Sequence, residues 1–227
     1  MKPYLFLLAG LAATPAVAED IAFDITFRTH VFDGLAEQDV YVRTPEYPNG
    51  VLRPSAEFTD YDAALFASAS PQAHAPGNPH AVGPFPAGRE LNVTLGDWLA
   101  ATGSGEYHCE NGQGHLTVEF QDLVPNGVYT IWHFFMVNGA TEPFIGTFDL
   151  PIGALDGSQS GFTADDAGSA TFDQTFGDCL QLTGSQLMAG LALNWHSDGQ
   201  TYGVLPGMFG HNAHIQLYTD LPAEPQS

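Results

Sequence analysis

The stretch Val128 to Val137, VYTIWHFFMV, carries apolar or aromatic side chains on both of the faces a strand presents. Successive side chains of a strand point to opposite sides. Val128, Trp132, Phe134 and Met136 therefore line one face, and Tyr129, Ile131 and Phe135 the other. Such a strand must be covered on both sides, and His133 is expected inside it, shielded from water and neutral. Upstream, Leu116, Val118 and Phe120 alternate with Thr117, Glu119 and Gln121, the period of a strand with one face on a core and one in water. Between the two runs Pro125-Asn126-Gly127 turns the chain, since proline presets φ while Asn and Gly tolerate the positive φ that follows. The reading is a hairpin spanning His115 to Leu150 on which the core is built.

The remaining chain is punctuated in the same way. Ile21, Phe23, Ile25 and Phe27 alternate with Ala22, Asp24 and Thr26, predicting a first strand, and Asp33-Gly34 a turn before Asp39 to Arg43. Residues 44–88 hold eight prolines and little periodicity, which predicts an irregular excursion with a short helix at Asp62 to Ala67. Leu91 to Leu95 reads as a strand, and Gly96 to Ala101 as one or two helical turns capped by Thr94 or Asp97. Short strands follow at Phe162-Thr163, Ala170 to Phe176, Cys179 to Leu182, Gly190 to His196 and Ala213 to Tyr218, separated by Asp- and Gly-containing turns. A helical turn is expected at Gln186 to Ala189, and the tail from Pro222 is expected to fray. The pattern predicts one all-β domain over 19–221, an antiparallel β-sandwich with a few short helical turns.

The ends and the charge set the compartment. Lys2, the apolar run Tyr4 to Ala13 and Ala16-Val17-Ala18 have the three parts of a cleaved signal peptide over 1–18. Nothing later reaches the roughly 20 apolar residues of a spanning helix, so a soluble product in the periplasm or outside the cell is expected, with no membrane insertion. Beyond that cleavage site the only basic residues are Arg28, Arg43, Arg53 and Arg89, against 26 acidic ones. A surface so acidic repels phosphate backbones and disfavours nucleic acid as a partner. Cys109 and Cys179, an even pair in an oxidising compartment, are expected to form a disulfide.

The runs LNVTLGDWLAATGSGEY, LVPNGVYTIWHFF, DLPIGALDGSQS, CLQLTGSQLMAG and WHSDGQTYG resemble a set of uncharacterised secreted bacterial proteins, over about Gly83 to Tyr218. The resemblance implies export and no particular chemistry. More loosely, a strand, the turn Leu123 to Gly127 and a histidine-bearing strand are similar to chordin-type-repeat and copper/zinc superoxide dismutase sandwiches. Dismutases carry a His-x-His pair there, where Ile131 to Phe135 offers His133 alone.

Among chemistry-bearing residues, His133, His196, His211 and His214 fall on or beside candidate strands, and converging imidazoles would suit copper or zinc, with Met188 or Met208 as a soft ligand. Asp156, Asp165, Asp166 and Asp198 sit in turns that could offer oxygens to calcium, without a D-x-D-x-D-G loop. Trp98, Tyr107, Trp195 and Tyr202 are the available glycan platforms, and Ser197 with Asp198 is the one serine–acid pair of interest, without a G-x-S-x-G elbow. The leading expectation is a secreted, non-catalytic binding domain for a small-molecule, glycan or protein ligand. The alternative is a histidine-liganded copper or zinc protein, a redox enzyme among the options.

Overall fold

The computed structural model describes residues 20–29, 39–55, 57–72, 82–137 and 148–225. The expected signal segment, the Asp33-Gly34 turn, His74 and His80 lie outside the described residues. In chain order the strands are β1 (Ile21–Phe27), β2 (Tyr41–Val42), β3 (Gly50–Val51), β4 (Ala64–Ser68) and β5 (Phe85–Thr94). After the helix α1 (Leu95–Ala100) come β6 (Thr102–Glu110), β7 (Gln113–Gln121), β8 (Val128–Val137), β9 (Phe148–Pro151) and β10 (Gly161–Thr163). The last three are β11 (Ala170–Phe176), β12 (Leu187–His196) and β13 (Ala213–Asp220).

These strands form antiparallel sheets in the orders β1-β6-β7-β11, β10-β8-β12-β13 with β9 also on β8, and β2-β4-β5-β3. The alternation of β7 does what its period requires: Leu116, Val118 and Phe120 are buried, while Glu119 and Gln121 are exposed. Facing them from the second sheet are Tyr129, Ile131 and Phe135 of β8 and Leu191, Leu193 and Trp195 of β12, in one continuous hydrophobic cluster. Phe162 joins the two sheets, stacking on Phe120 at 5.4 Å and on Tyr129 at 5.6 Å between ring centroids. Where β6 crosses β7 only glycine fits at position 105, because a Cβ there would lie 1.9 Å from the Thr117 carbonyl oxygen. The Cys109–Cys179 disulfide ties β6 to the segment after β11.

Both faces of β8 are covered, as its composition requires, and His133 is 7% exposed. The helix also lies where its signals put it: the Thr94 hydroxyl accepts from Asp97 N at 3.1 Å while the Asp97 carboxylate accepts from Thr94 N. Its buried Trp98 packs against Trp195, with centroids 5.9 Å apart.

The expected hairpin is not one. Strand β7 pairs with β6 and β11, and β8 with β12, β9 and β10, so the Pro125-Asn126-Gly127 turn carries the chain from one sheet to the other. The turn itself is real, with Asn126 at φ 56° and Gly127 N donating to Val124 O. Its other backbone groups pair with the 164–168 turn: Leu123 N on Gly168 O, Asn126 N on Asp165 O and Ala164 N on Gly127 O. Tight-turn chemistry serves a crossover between sheets as well as a hairpin, which is why the sequence alone misled. The true hairpin is β6–β7, closed by Asn111 and Gly112, both at positive φ.

Five other expectations are corrected. The 44–88 segment is not irregular throughout: it supplies β3, β4 and the start of β5 to a sheet of its own. Strand β4 replaces the helix expected at Asp62 to Ala67, because Leu65 to Ser68 are buried on both faces and so show no alternation. The helical turn at Gln186 to Ala189 is the start of β12, and Cys179 to Leu182 is not a strand. The tail holds to the body through Glu224, since Thr183 N donates to Pro222 O and Glu224 N to Thr183 O.

Candidate functional site

Strand β12 ends at His196, the chain turns at Ser197 to Gly199, and residues 200–212 return it to the start of β13. Antiparallel pairing of Trp195 with His214 and His196 with Ala213 brings Ser197 and His214 together at the mouth of this loop. A register shift between Leu193 and Asn194 leaves Gln216 bulged, and its side chain locks the strand end in place. Its amide oxygen accepts from Tyr129 Oη at 2.8 Å, and its amide nitrogen donates to Trp98 O at 3.1 Å.

His214 is fully buried. Its Nδ1 lies 2.7 Å from the Asp39 carbonyl oxygen, which can only accept, so Nδ1 carries the hydrogen. Nε2 is then an acceptor, and it lies 2.7 Å from Ser197 Oγ, whose hydrogen it takes. The same oxygen accepts from Arg89 Nη2 of β5 at 2.6 Å. Burial pushes the His214 pKa down to about 4, with the Asp39 carbonyl opposing, so the imidazole is neutral near pH 7.

The base of the loop is held by a second network. Ser197 N donates to Asn212 O at 3.0 Å, Asn212 Nδ2 to Asp198 Oδ2 at 3.0 Å, and Met208 N to Asn212 Oδ1 at 2.8 Å. Tyr202 Oη donates to Asp198 Oδ2 in a short hydrogen bond. That bond to the carboxylate pushes the Tyr202 pKa up to about 12. Burial works against the Asp198 carboxylate, but hydrogen bonds from Tyr202, Gln200 N and Asn212 outweigh it and hold its pKa below the usual range. Behind the loop, His196 Nε2 lies 2.7 Å from Thr130 Oγ1, which accepts from Trp132 Nε1 at 2.7 Å. Burial also pushes His196 down to about 4, with Asp198 opposing. The third sheet leans on this end: Ser68 N donates to Gly210 O at 2.7 Å and His211 Nδ1 to Ser68 O at 2.9 Å.

The four histidines expected to converge on copper or zinc do not form a set. His133 pairs with Leu191 on β12, five residues from His196, and donates Nε2–H to Gln181 O at 3.0 Å. Five residues of strand are about 16 Å. His211 is committed to the third sheet, and His196 and His214 each spend Nε2 on a hydroxyl. Among the described residues no group of three or more His, Cys, Asp or Glu side chains is placed to hold a metal ion. The turn carboxylates work locally: Asp156 caps Ser158 N, Asp165 caps Ala167 N and Ser169 N, and Asp198 caps Gln200 N. Of the four glycan platforms, Trp98, Tyr107 and Trp195 are buried.

Sequence reasoning weighed Ser197 with its neighbour Asp198, whereas the structure gives it His214, Asp39 and Arg89. The pairing with His214 was within reach, since two strands joined by one loop place the residues at its two ends side by side. Asp39 and Arg89 arrive from distant segments with no local signal. Comparison with family models, curated proteins and solved structures finds no match to the chain.

Proposed function

We propose that the chain is an exported binding domain that engages a protein or peptide surface with an apolar centre and a basic rim. The observation that carries this reading is a cluster of large apolar side chains left in water on two tight turns. Leu155 is 65% exposed, Val204 59% and Leu205 63%. The turns touch through their backbones, since a Cβ on Gly157 would lie 2.3 Å from Gly203 O. Both are preorganised: Gly157 N donates to Ala154 O, Ser158 N to Asp156 Oδ1, and Leu205 N to Tyr202 O. Ordering these turns in advance lowers the entropy cost of binding. A contiguous exposed apolar cluster with polar surroundings is the usual mark of an interaction surface.

Charge supplies the rim. Asp156 lies on the first of these turns, Asp198 accepts from Tyr202 at the start of the second, and the whole chain carries a net charge of −21. That field steers basic partners inward and repels nucleic acid. Export is supported by the disulfide, which persists in oxidising compartments, and no helix among the described residues is long and apolar enough to cross a membrane. Two labelled peptides test the reading, one alternating Leu with Lys and one alternating Leu with Glu. The Leu/Lys peptide is expected to bind, to weaken with salt, and to lose at least about tenfold in affinity to a Leu155→Asp/Leu205→Asp variant. Equal binding of both peptides, or no change in the variant, would contradict it.

A further inference from the structure

We infer that Ser197 and His214 form a nucleophile–base pair able to hydrolyse carboxylic esters, with Asp39 orienting the base and Arg89 assisting at the oxyanion. Three geometric facts meet here. Ser197 Oγ is within 2.7 Å of a nitrogen that must be an acceptor, because the other ring nitrogen is committed to the Asp39 carbonyl. A base oriented by a third group is what such a pair requires, and a main-chain carbonyl fixes the tautomer as a carboxylate would. Ser197 is partly exposed at a loop mouth while its base is fully buried, so the reacting oxygen reaches solvent and the base does not. Finally, Arg89, itself exposed, places a permanent positive charge 2.6 Å from Oγ. A guanidinium there stabilises negative charge developing on Oγ or on the substrate oxyanion two bonds away.

The other groups around the pair are consistent with a neutral base. His214 faces Asp39, Arg89 and His196, and the burial that depresses its pKa leaves it unprotonated at neutral pH. In the reaction, Ser197 Oγ bonds to the ester carbonyl carbon as its proton passes to His214 Nε2 and the carbonyl π pair moves to oxygen. Collapse of the adduct breaks the bond to the alkoxy oxygen, which leaves as the alcohol with the proton from Nε2. Water then attacks the acyl-serine through the same two steps, yielding the carboxylic acid and free Ser197. The balance is ester plus water to acid plus alcohol. Esters are the class indicated, because their leaving group is far better than an amine and His214 Nδ1 is held by a main-chain carbonyl rather than directly by a carboxylate.

The test uses the full exported chain, a fluorophosphonate probe and p-nitrophenyl butyrate. The expected result is a single phosphonyl adduct mapped to Ser197 by peptide mass spectrometry, and ester turnover that falls about 100-fold or more in Ser197→Ala. Ser197→Ala removes one partly exposed oxygen, so it keeps the fold, and its thermal transition is measured alongside. Arg89→Gln, on an exposed side chain, is expected to slow acylation at least about tenfold while leaving the adduct site unchanged. Turnover in the parent is expected to stay level from pH 8 to pH 6, as a base already neutral in that range dictates. Absence of an adduct at Ser197, or equal turnover in the parent and in folded Ser197→Ala, would overturn the inference. Peptide binding at Leu155 and Leu205 is read separately and survives either outcome.

Discussion

Stability is expected to fall steeply as pH drops below 6.5, well before most carboxylates are protonated. Three buried histidines cause it. His133, His196 and His214 are each pushed down to about 4 by burial, from an ordinary 6.5. The unfolded chain therefore binds more protons than the native one between these values, and the native state loses stability as pH falls through that window. Above pH 6.5 the contribution is fully present. Each group supplies a slope of up to about 1.4 kcal/mol per pH unit, and the three together about 4. The groups that oppose the shift are few: the Gln181 carbonyl at His133, Asp198 at His196, and Asp39 at His214. Urea midpoints measured from pH 7.5 to 4.5 check this, and His133→Leu is expected to flatten the slope by about a third. A midpoint constant down to pH 5 would mean that these imidazoles are not buried and neutral.

Reduction of the disulfide carries the second large effect. Cys109 is on β6 and Cys179 lies beyond β11, with 70 positions between them in sequence and 5.5 Å between their Cα atoms. Closing a loop of that length restricts the unfolded chain, which corresponds to roughly 4 kcal/mol of stability in the chain-entropy model. The bridge also secures the segment that supplies the Leu180 N bond to Tyr107 Oη and the Gln181 carbonyl held by His133. Cys109→Ala/Cys179→Ala is expected to lose about that amount in urea unfolding, while the parent in reductant does the same. A loss under about 1 kcal/mol would mean that the sheets hold this segment unaided.

What the sequence disclosed follows from how local each signal is. The alternation in Ile21–Phe27 and Gln113–Gln121, the two-faced β8 and the Thr94 cap all depend on neighbours within a few residues, and all appear in the fold. Strand β4 was unreadable because burial on both faces erases the period of two, and its alanines favour a helix on propensity alone. The crossover after β7 was unreadable because Pro125-Asn126-Gly127 states that the chain turns, not which sheet it joins next. The histidines show the same limit in the candidate site. Their types suited a metal, but His133 and His196 are separated along paired strands, a matter of register that no spacing along the chain reports. Ser197 acquired its meaning only when β12 met β13 and when β5 brought Arg89 across.

The state of His214 is the point on which the site stands or falls, and long-range ¹H–¹⁵N NMR of the imidazoles reads it directly. The arrangement requires the Nδ1–H tautomer, an unprotonated Nε2, and no titration of this ring between pH 8 and pH 5.5. It also requires that Ser197→Ala shift the Nε2 resonance of His214 and leave that of His133 unmoved. An Nε2–H tautomer would contradict both the hydrogen bond from Ser197 and the chemistry built on it, and protonation near pH 6.5 would contradict the burial of the ring.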